Sequence, residues 1–167
     1  MKKYLHLMHY CMYKINCLAY NLNPLLLIYK LPFLKRFFVK KGYNPIAIYH
    51  NTMNHPADGF SSMFAASEVV SVVGLFLTGL IGLFLVKLKI YFNYLYLFVF
   101  IMICSYLFGV FVLWKKDLFK EDFKKFDLME RWKKVLWALL TLLFSAMAVF
   151  ICFKSLIMWG RTFQPKL

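Results

Sequence analysis

The chain has 167 residues, of which 62% are hydrophobic and 20% aromatic, and it carries a formal net charge of +14. Globular proteins are about 45–50% apolar, so a soluble domain of this length could not bury so much apolar surface. The charge alone would suit nucleic-acid binding, but no groove-reading motif accompanies it. Composition therefore predicts an integral membrane protein that does not bind nucleic acid.

Residues 2–22 are expected to form an amphipathic helix, because apolar residues recur at intervals of three and four. Positive charges lie elsewhere on the helix. Such a helix can lie in the plane of the membrane surface or pack on a helical bundle, and the sequence leaves both open. The apolar stripe consists of Leu5, Met8, Met12, Ile15, Ala19 and Leu22.

The segment that follows is too interrupted by proline and lysine to cross a bilayer, so residues 23–34 are interfacial or re-entrant. Breaker residues are dense over 42–64, which predicts a loop. Residues 1–64 are thus expected to form a basic, amphipathic region on the membrane surface. Its basic and aromatic cluster favours adhesion to anionic lipid headgroups. The cluster consists of Phe33, Lys35, Arg36, Phe37, Phe38, Lys40 and Lys41.

Three apolar stretches, at about 66–86, 91–113 and 135–157, reach the roughly 20 residues that a membrane-spanning helix needs. The first two are separated by a very short turn, which predicts a tight antiparallel hairpin. The predicted fold class is an all-α integral membrane protein with three transmembrane helices and additional interfacial amphipathic helices. Residues 65–167 would form the three-span domain.

The charged segment 115–134 predicts a further amphipathic helix. Its apolar face would consist of Phe119, Phe123, Phe126 and Met129. Three pairs in the favourable acid-first order would support it, each by a few tenths of a kcal/mol. These pairs are Glu121–Lys125, Asp127–Arg131 and Glu130–Lys134. The apolar face could lie on the bilayer or on a partner.

Basic residues are distributed unequally between the two sides of a three-span chain. Residues 1–64 carry eight Lys and Arg, residues 115–134 carry eight more, and only five lie on the other side. Because basic loops stay in the cytoplasm, the N-terminus is expected inside and the C-terminus outside. In a bacterium the membrane would be the inner one.

Small residues recur at helical spacing in every predicted span. They are Ser71, Gly74, Thr78 and Gly82 in the first span, Ser105 and Gly109 in the second, and Ala138, Thr141, Ser145, Ala148 and Cys152 in the third. Small residues let helix backbones approach closely, so we predict helix packing at these positions. A conduction path would need charged or strongly polar residues at mid-membrane.

Two further features are candidate sites. Glu68 is the only acid within a predicted span and is therefore a candidate intramembrane functional acid, although it lies near the headgroup level. His50, His55 and Asp58 are weak candidates for a metal site, since imidazole and carboxylate bind Zn²⁺. Their spacing matches no known motif, and a polar turn is the alternative. We expect no cofactor.

No catalytic or phosphate-binding motif occurs, and the four cysteines form no C-x-x-C pair. We therefore expect a non-enzymatic accessory or immunity-type protein that acts by association in the membrane, as a homo-oligomer or with a membrane-protein partner. One alternative is a subunit of an oligomeric transporter or channel, in which Glu68 or the serine and threonine stripe would face a water-filled interior. Another is a membrane-bound metalloenzyme that uses His50, His55 and Asp58.

Overall fold

A computed structural model describes residues 2–22, 28–29, 31–55, 59–113 and 118–163. Within these ranges the chain forms seven α-helices and no strand. The helices are α1 (Lys2–Asn21), α2 (Pro32–Lys40), α3 (Pro45–Asn54), α4 (Phe60–Lys87), α5 (Tyr94–Leu113), α6 (Leu118–Asp127) and α7 (Arg131–Phe163). The ambiguous segment 23–34 lies partly outside the described residues.

Helices α4, α5 and α7 are long and apolar enough to cross a membrane, which confirms the three predicted spans and the all-α membrane fold. Two of them extend beyond the predicted bounds: α4 begins at Phe60, and α7 runs from Arg131 to Phe163. At 1.5 Å per residue, α7 is about 50 Å long, whereas the hydrocarbon core is about 30 Å thick. Its ends therefore continue past the lipid, where hydropathy gives no indication of helix.

The central span is α4, which packs against both α5 and α7. Two hydrogen bonds join α7 to the start of α5 and to the turn that precedes it. The phenol of Tyr94 donates to the carbonyl oxygen of Cys152 over 3.0 Å. The indole Nε1 of Trp159 donates to the carbonyl oxygen of Phe92 over 2.8 Å.

The predicted hairpin between the first two spans is confirmed, and its turn is defined by local hydrogen bonds. Lys89 has a left-handed backbone, with φ of 55°. The Ile90 N–H donates to the carbonyl of Leu85, and the Lys89 N–H donates to that of Val86. This pair of hydrogen bonds ends α4. The side chain of Asn93 then caps the first turn of α5 by accepting from two backbone N–H groups.

The loop predicted over 42–64 is wrong in its middle, where α3 forms. Asn44 caps this helix by accepting from the Ala47 N–H over 3.2 Å, and Pro45 occupies its first turn. Asparagine and proline are favourable at those two positions, so here they start a helix instead of breaking one.

Helices α1, α3 and α6, which we call the cap, cover one end of the three spans. Helix α1 contacts α4, α5, α6 and α7, so it packs on the bundle, as one of the two alternatives predicted. The predicted apolar stripe is buried only in part: Met12 is buried and Leu5, Met8 and Ile15 are half-buried against the core, whereas Ala19 and Leu22 are exposed. The buried face is also rich in histidine and tyrosine, which hydropathy ranks as polar.

The predicted helix over 115–134 is shorter than expected, because α6 ends at Asp127 and α7 begins at Arg131. Its predicted apolar face is correct, since Phe119, Phe123 and Phe126 are buried. These rings pack on α1 and not on the bilayer. The acids also find partners other than those predicted. The ion pairs are Lys125–Asp122 at 3.9 Å, Lys133–Glu130 at 2.9 Å and Lys14–Asp127 at 2.8 Å.

Candidate functional site

The densest cluster of buried polar side chains lies under α1. His6, His9, Tyr10 and Tyr13 follow a spacing of three, four and seven residues, which places them on one helical face. His6 and His9 each keep only 1% of their accessible surface. Since a buried polar group is costly without a hydrogen bond, each of these side chains needs a partner from another helix.

His6 joins α1 to two other helices. Its Nδ1 contacts the Asp122 carboxylate over 2.6 Å, and its Nε2 contacts the carbonyl oxygen of Val112 over 3.1 Å. The His6 ring thus joins α1 to α6 through Asp122 and to α5 through Val112. Val112 lies in the last turn of α5, where carbonyls lack partners within the helix and the helix dipole favours a cation.

His9 is held differently. Its Nε2 donates to the carbonyl oxygen of Ser62 over 2.9 Å, whereas its Nδ1 is buried without a hydrogen-bond partner among the described residues. The ring packs against Phe119 and Phe123, with centroids 5.5 and 5.0 Å away. Burial lowers the pKa of His9 from 6.5 to about 4. His9 is therefore neutral near pH 7.

Asp127, at the end of α6, gathers three donors. The Tyr10 phenol donates to its carboxylate over 2.6 Å, and the Lys14 ammonium lies 2.8 Å from the same oxygen. Lys134 donates to its backbone carbonyl over 2.7 Å. Burial acts to raise the pKa of Asp127, but the hydrogen bonds from Lys14 and Tyr10 outweigh burial and lower it. Burial and the neighbouring carboxylate raise the pKa of Tyr10, which therefore keeps its proton.

The second half of α1 joins α3 and α4. The Tyr13 phenol donates over 2.6 Å to the carbonyl oxygen of Asn54, the last residue of α3. The side-chain amide of Asn16 donates to the Glu68 carboxylate over 2.9 Å. Glu68 is half-buried and lies in the α1–α4 contact, in the third turn of α4. It thus serves as a hydrogen-bond acceptor for the cap.

The cluster contains acid–base residue types, but its arrangement favours a scaffold. The carboxylates of Asp122 and Asp127 are bound by side chains of α1. The nearby thiol of Cys11 is buried, and burial raises its pKa. A thiol with a raised pKa is a poor nucleophile. The polar groups therefore fasten α1 to the bundle.

The metal-site candidates are only partly described. His50 Nδ1 lies 3.1 Å from the side-chain nitrogen of Asn54. His55 is the C-cap residue of α3 and directly follows Asn54. Asp58 lies outside the described residues. Across the described ranges, no group of three or more His, Cys, Asp or Glu side chains is placed to hold a metal ion.

The small residues of the spans lie where helices touch. At three glycines an added Cβ atom would meet a side chain of another helix, which would have to shift: Gly74 faces Met102, Gly82 faces Ser155 and Gly109 faces Val70. Gly79, which is outside the predicted set, approaches a backbone: a Cβ atom there would lie 2.7 Å from the Cys152 nitrogen. Thr78, Ser105, Thr141 and Ala148 are buried, and Ser71, Ala138, Ser145 and Cys152 are half-buried.

Hydroxyl groups in the predicted stripes bond within their own helices. Thr78 donates to the carbonyl of Gly74, Thr141 to that of Trp137, and Ser145 to that of Thr141, each over 2.8 Å. Such back-bonding satisfies a hydroxyl in a membrane helix without a second helix or water. The donor of each of these three hydroxyls is therefore satisfied within its own helix.

The sequence reasoning missed His6 and His9, the residues that define the cluster. Their spacing with Tyr10 and Tyr13 was the available indication, since four residues able to donate hydrogen bonds on one helical face are unusual for a lipid-facing surface.

The chain matches no protein-family model, and no curated protein or solved structure shows significant similarity to it.

Proposed function

We propose that this chain is a non-enzymatic accessory or immunity-type membrane protein that acts by associating with other membrane-spanning helices. The partner is a second copy of the chain or a different membrane protein. One observation carries the proposal: the polar side chains of the cap bond to one another and to α4 and α5, and α4 packs closely on its neighbours, whereas most of α5 and α7 is left uncovered.

Large apolar side chains line the uncovered faces. Phe100 of α5 keeps 66% of its accessible surface, and Phe150 of α7 keeps 67%. Lipid chains and a protein partner would both cover these rings with apolar atoms, because helices associate in membranes through packing and not through the hydrophobic effect. A test must therefore distinguish lipid from protein at these positions.

Photocrosslinking in the native membrane makes that distinction. A photoreactive phenylalanine analogue would replace Phe100 or Phe150, and Phe84 on α4, 62% exposed, would serve as the control position. We expect a discrete protein adduct of constant mass from α5 or α7 and not from α4. Lipid adducts alone at all three positions would contradict the proposal.

The transporter or channel alternative differs in a measurable way. It requires solute flux through the protein, with Glu68 as the intramembrane acid. Association alone predicts that proteoliposomes containing the protein leak no faster than empty ones. Ion flux that disappears in the Glu68→Gln variant would favour the alternative.

We further propose that the cap faces the cytoplasm, with the C-terminus outside, since the basic segments lie on the cap side. Single cysteines at Leu88 and Lys124, in a chain without its native cysteines, would report the side. A membrane-impermeant maleimide added to intact cells should label position 88 and not position 124. The opposite pattern would reverse the proposed orientation.

A further inference from the structure

A groove of about 400 Å³ lies between the second half of α1 and the start of α7, with Asp127 among its lining residues. Its walls are mostly apolar and include Ile15 and Leu18 from α1 and Val135 and Ala138 from α7. This volume lies within the range of small-molecule sites, about 300–1,000 Å³. We call it the Lys134 groove, after the residue at its charged end.

Charge is concentrated at that end of the Lys134 groove. Lys14 is paired with the Asp127 carboxylate over 2.8 Å. Lys134 instead donates to the Asp127 backbone carbonyl. The charges of both Lys14 and Lys134 act on the Asp127 carboxylate, so within the described ranges two ammonium groups share one carboxylate at this end of the groove. The charged end therefore carries a net positive charge.

The position of the groove along α7 indicates which part of the bilayer it would face. Lys134 is the last charged residue before a long uncharged and mostly apolar stretch, residues 135–153 of α7. In a bilayer, the ammonium would thus lie at headgroup level, and the apolar walls would lie beside the first part of the acyl chains. Basic pockets between helices at this level are known to bind anionic lipid headgroups.

We propose that the Lys134 groove is a binding site for an anionic phospholipid, with its phosphate on Lys134 and one acyl chain along Ile15, Leu18 and Ala138. The surrounding bilayer supplies this ligand, and the groove matches it at both ends: a cation where the phosphate lies and apolar side chains where the chain begins. The site is distinct from the faces of α5 and α7 proposed for association.

Native mass spectrometry of the purified full-length protein would test the site. The protein would be offered equal amounts of phosphatidylglycerol and phosphatidylcholine, which share a phosphate but differ in net charge. We expect phosphatidylglycerol to be retained preferentially. Lys134→Gln should reduce that retention about fivefold, the effect typical of one basic residue near a membrane surface.

Two matched controls separate the groove from its surroundings. Lys133→Gln removes the same charge from the adjacent position, which does not line the groove, and should leave retention unchanged. Ala138→Leu should fill the apolar wall and reduce retention, whereas Ala146→Leu, on the exposed face of the same helix, should not.

Three results would overturn the proposal. One is equal retention of the two lipids by the unmodified protein. Another is an equal effect of Lys133→Gln and Lys134→Gln, which would indicate general surface charge. The third is displacement of phosphatidylglycerol by glycerol phosphate alone, which would show that the acyl chain contributes nothing. Thermal unfolding of each variant would establish that it is folded.

Discussion

The imidazole of His6 and the carboxylate of Asp122 lie 2.6 Å apart, although 116 positions separate them in the chain. This contact joins the first helix of the protein to the helix that precedes its last span. His6 is almost fully buried, and the Asp122 side chain is 23% exposed. The pair is therefore sheltered enough to stabilise the cap.

Breaking this pair should destabilise the protein. Asp122→Asn leaves the buried His6 ring without a carboxylate, and we expect the free energy of unfolding to fall by about 1–3 kcal/mol. Reversible unfolding in detergent would measure it. Glu121→Gln, at an exposed position of the same helix, should have little effect. In a double-mutant cycle with His6→Ala, additive losses would show that the two residues are not coupled.

Acidification should destabilise the protein through His9. Its pKa is about 4 in the folded chain and 6.5 when the ring is solvated, so the unfolded state binds more protons between these values. The contribution of neutral His9 to the free energy of unfolding is fully present above pH 6.5. It falls as the pH drops from 6.5 to about 4, and it changes little below that. The loss from this residue is at most about 3 kcal/mol.

The His9→Gln variant isolates that contribution, because its amide can still donate to the Ser62 carbonyl but does not titrate. Its stability should change less than that of the unmodified protein between pH 6.5 and 4. Asp127, whose pKa is below its usual 3.8, stays ionised through this window. Identical pH slopes for the two proteins would rule out His9 as the cause.

Two of the three close glycine contacts of α4, those of Gly79 and Gly74, should respond differently to alanine. At Gly79 the added Cβ would meet the backbone of Cys152, which cannot move without shifting α7. At Gly74 it would meet the flexible end of Met102. We expect Gly79→Ala to cost about 1–3 kcal/mol. Gly74→Ala should cost less, because alanine also favours a helix by up to about 1 kcal/mol.

The free energy of unfolding of both variants would be measured in the same detergent. The rate of proteolysis within α4 and α7 would provide a second readout. A larger loss for Gly74→Ala would mean that the α4–α5 contact, and not the α4–α7 contact, is the rigid one.

Helix α2 should lie on the bilayer with its aromatic side toward the lipid. None of its residues is buried by the rest of the chain, and Phe37 is 47% exposed. Spin labels at Phe37 and at Lys35, in a chain without native cysteines, would project about 200° apart and so lie on nearly opposite faces of this helix. We expect oxygen to reach the label at 37 and a water-soluble relaxer to reach the label at 35. Equal exposure of both labels to water would contradict this placement.

The spans were predictable because lipid imposes a simple rule, a run of apolar residues about 20 long. The position of α1 was not predictable to the same degree. Its buried face depends on Asp122, Val112 and Ser62, which are hydrogen-bond acceptors supplied by three other helices. Periodicity within one segment carries no information about such distant partners.

Local charge pairing was misleading for a related reason. Asp127 was expected to pair with Arg131 one turn later, but α6 ends at Asp127, and its carboxylate binds Tyr10 and Lys14. An exposed pair within one helix is worth only a few tenths of a kcal/mol. Two partners on a neighbouring helix, one of them buried, easily outcompete it.

The anchoring of α1 has a consequence for biosynthesis. A ribosome releases α1 first, but the acceptors for His6 lie at Val112 and Asp122, so the helix must wait until the first two spans and α6 have been made. Closing so long a loop is slow, and during that interval two histidines and several tyrosines are exposed to the membrane surface. The N-terminal helix would thus dock late, as the step that completes assembly. A bulky fusion at Lys2 would be expected to delay that step while leaving insertion of the spans intact.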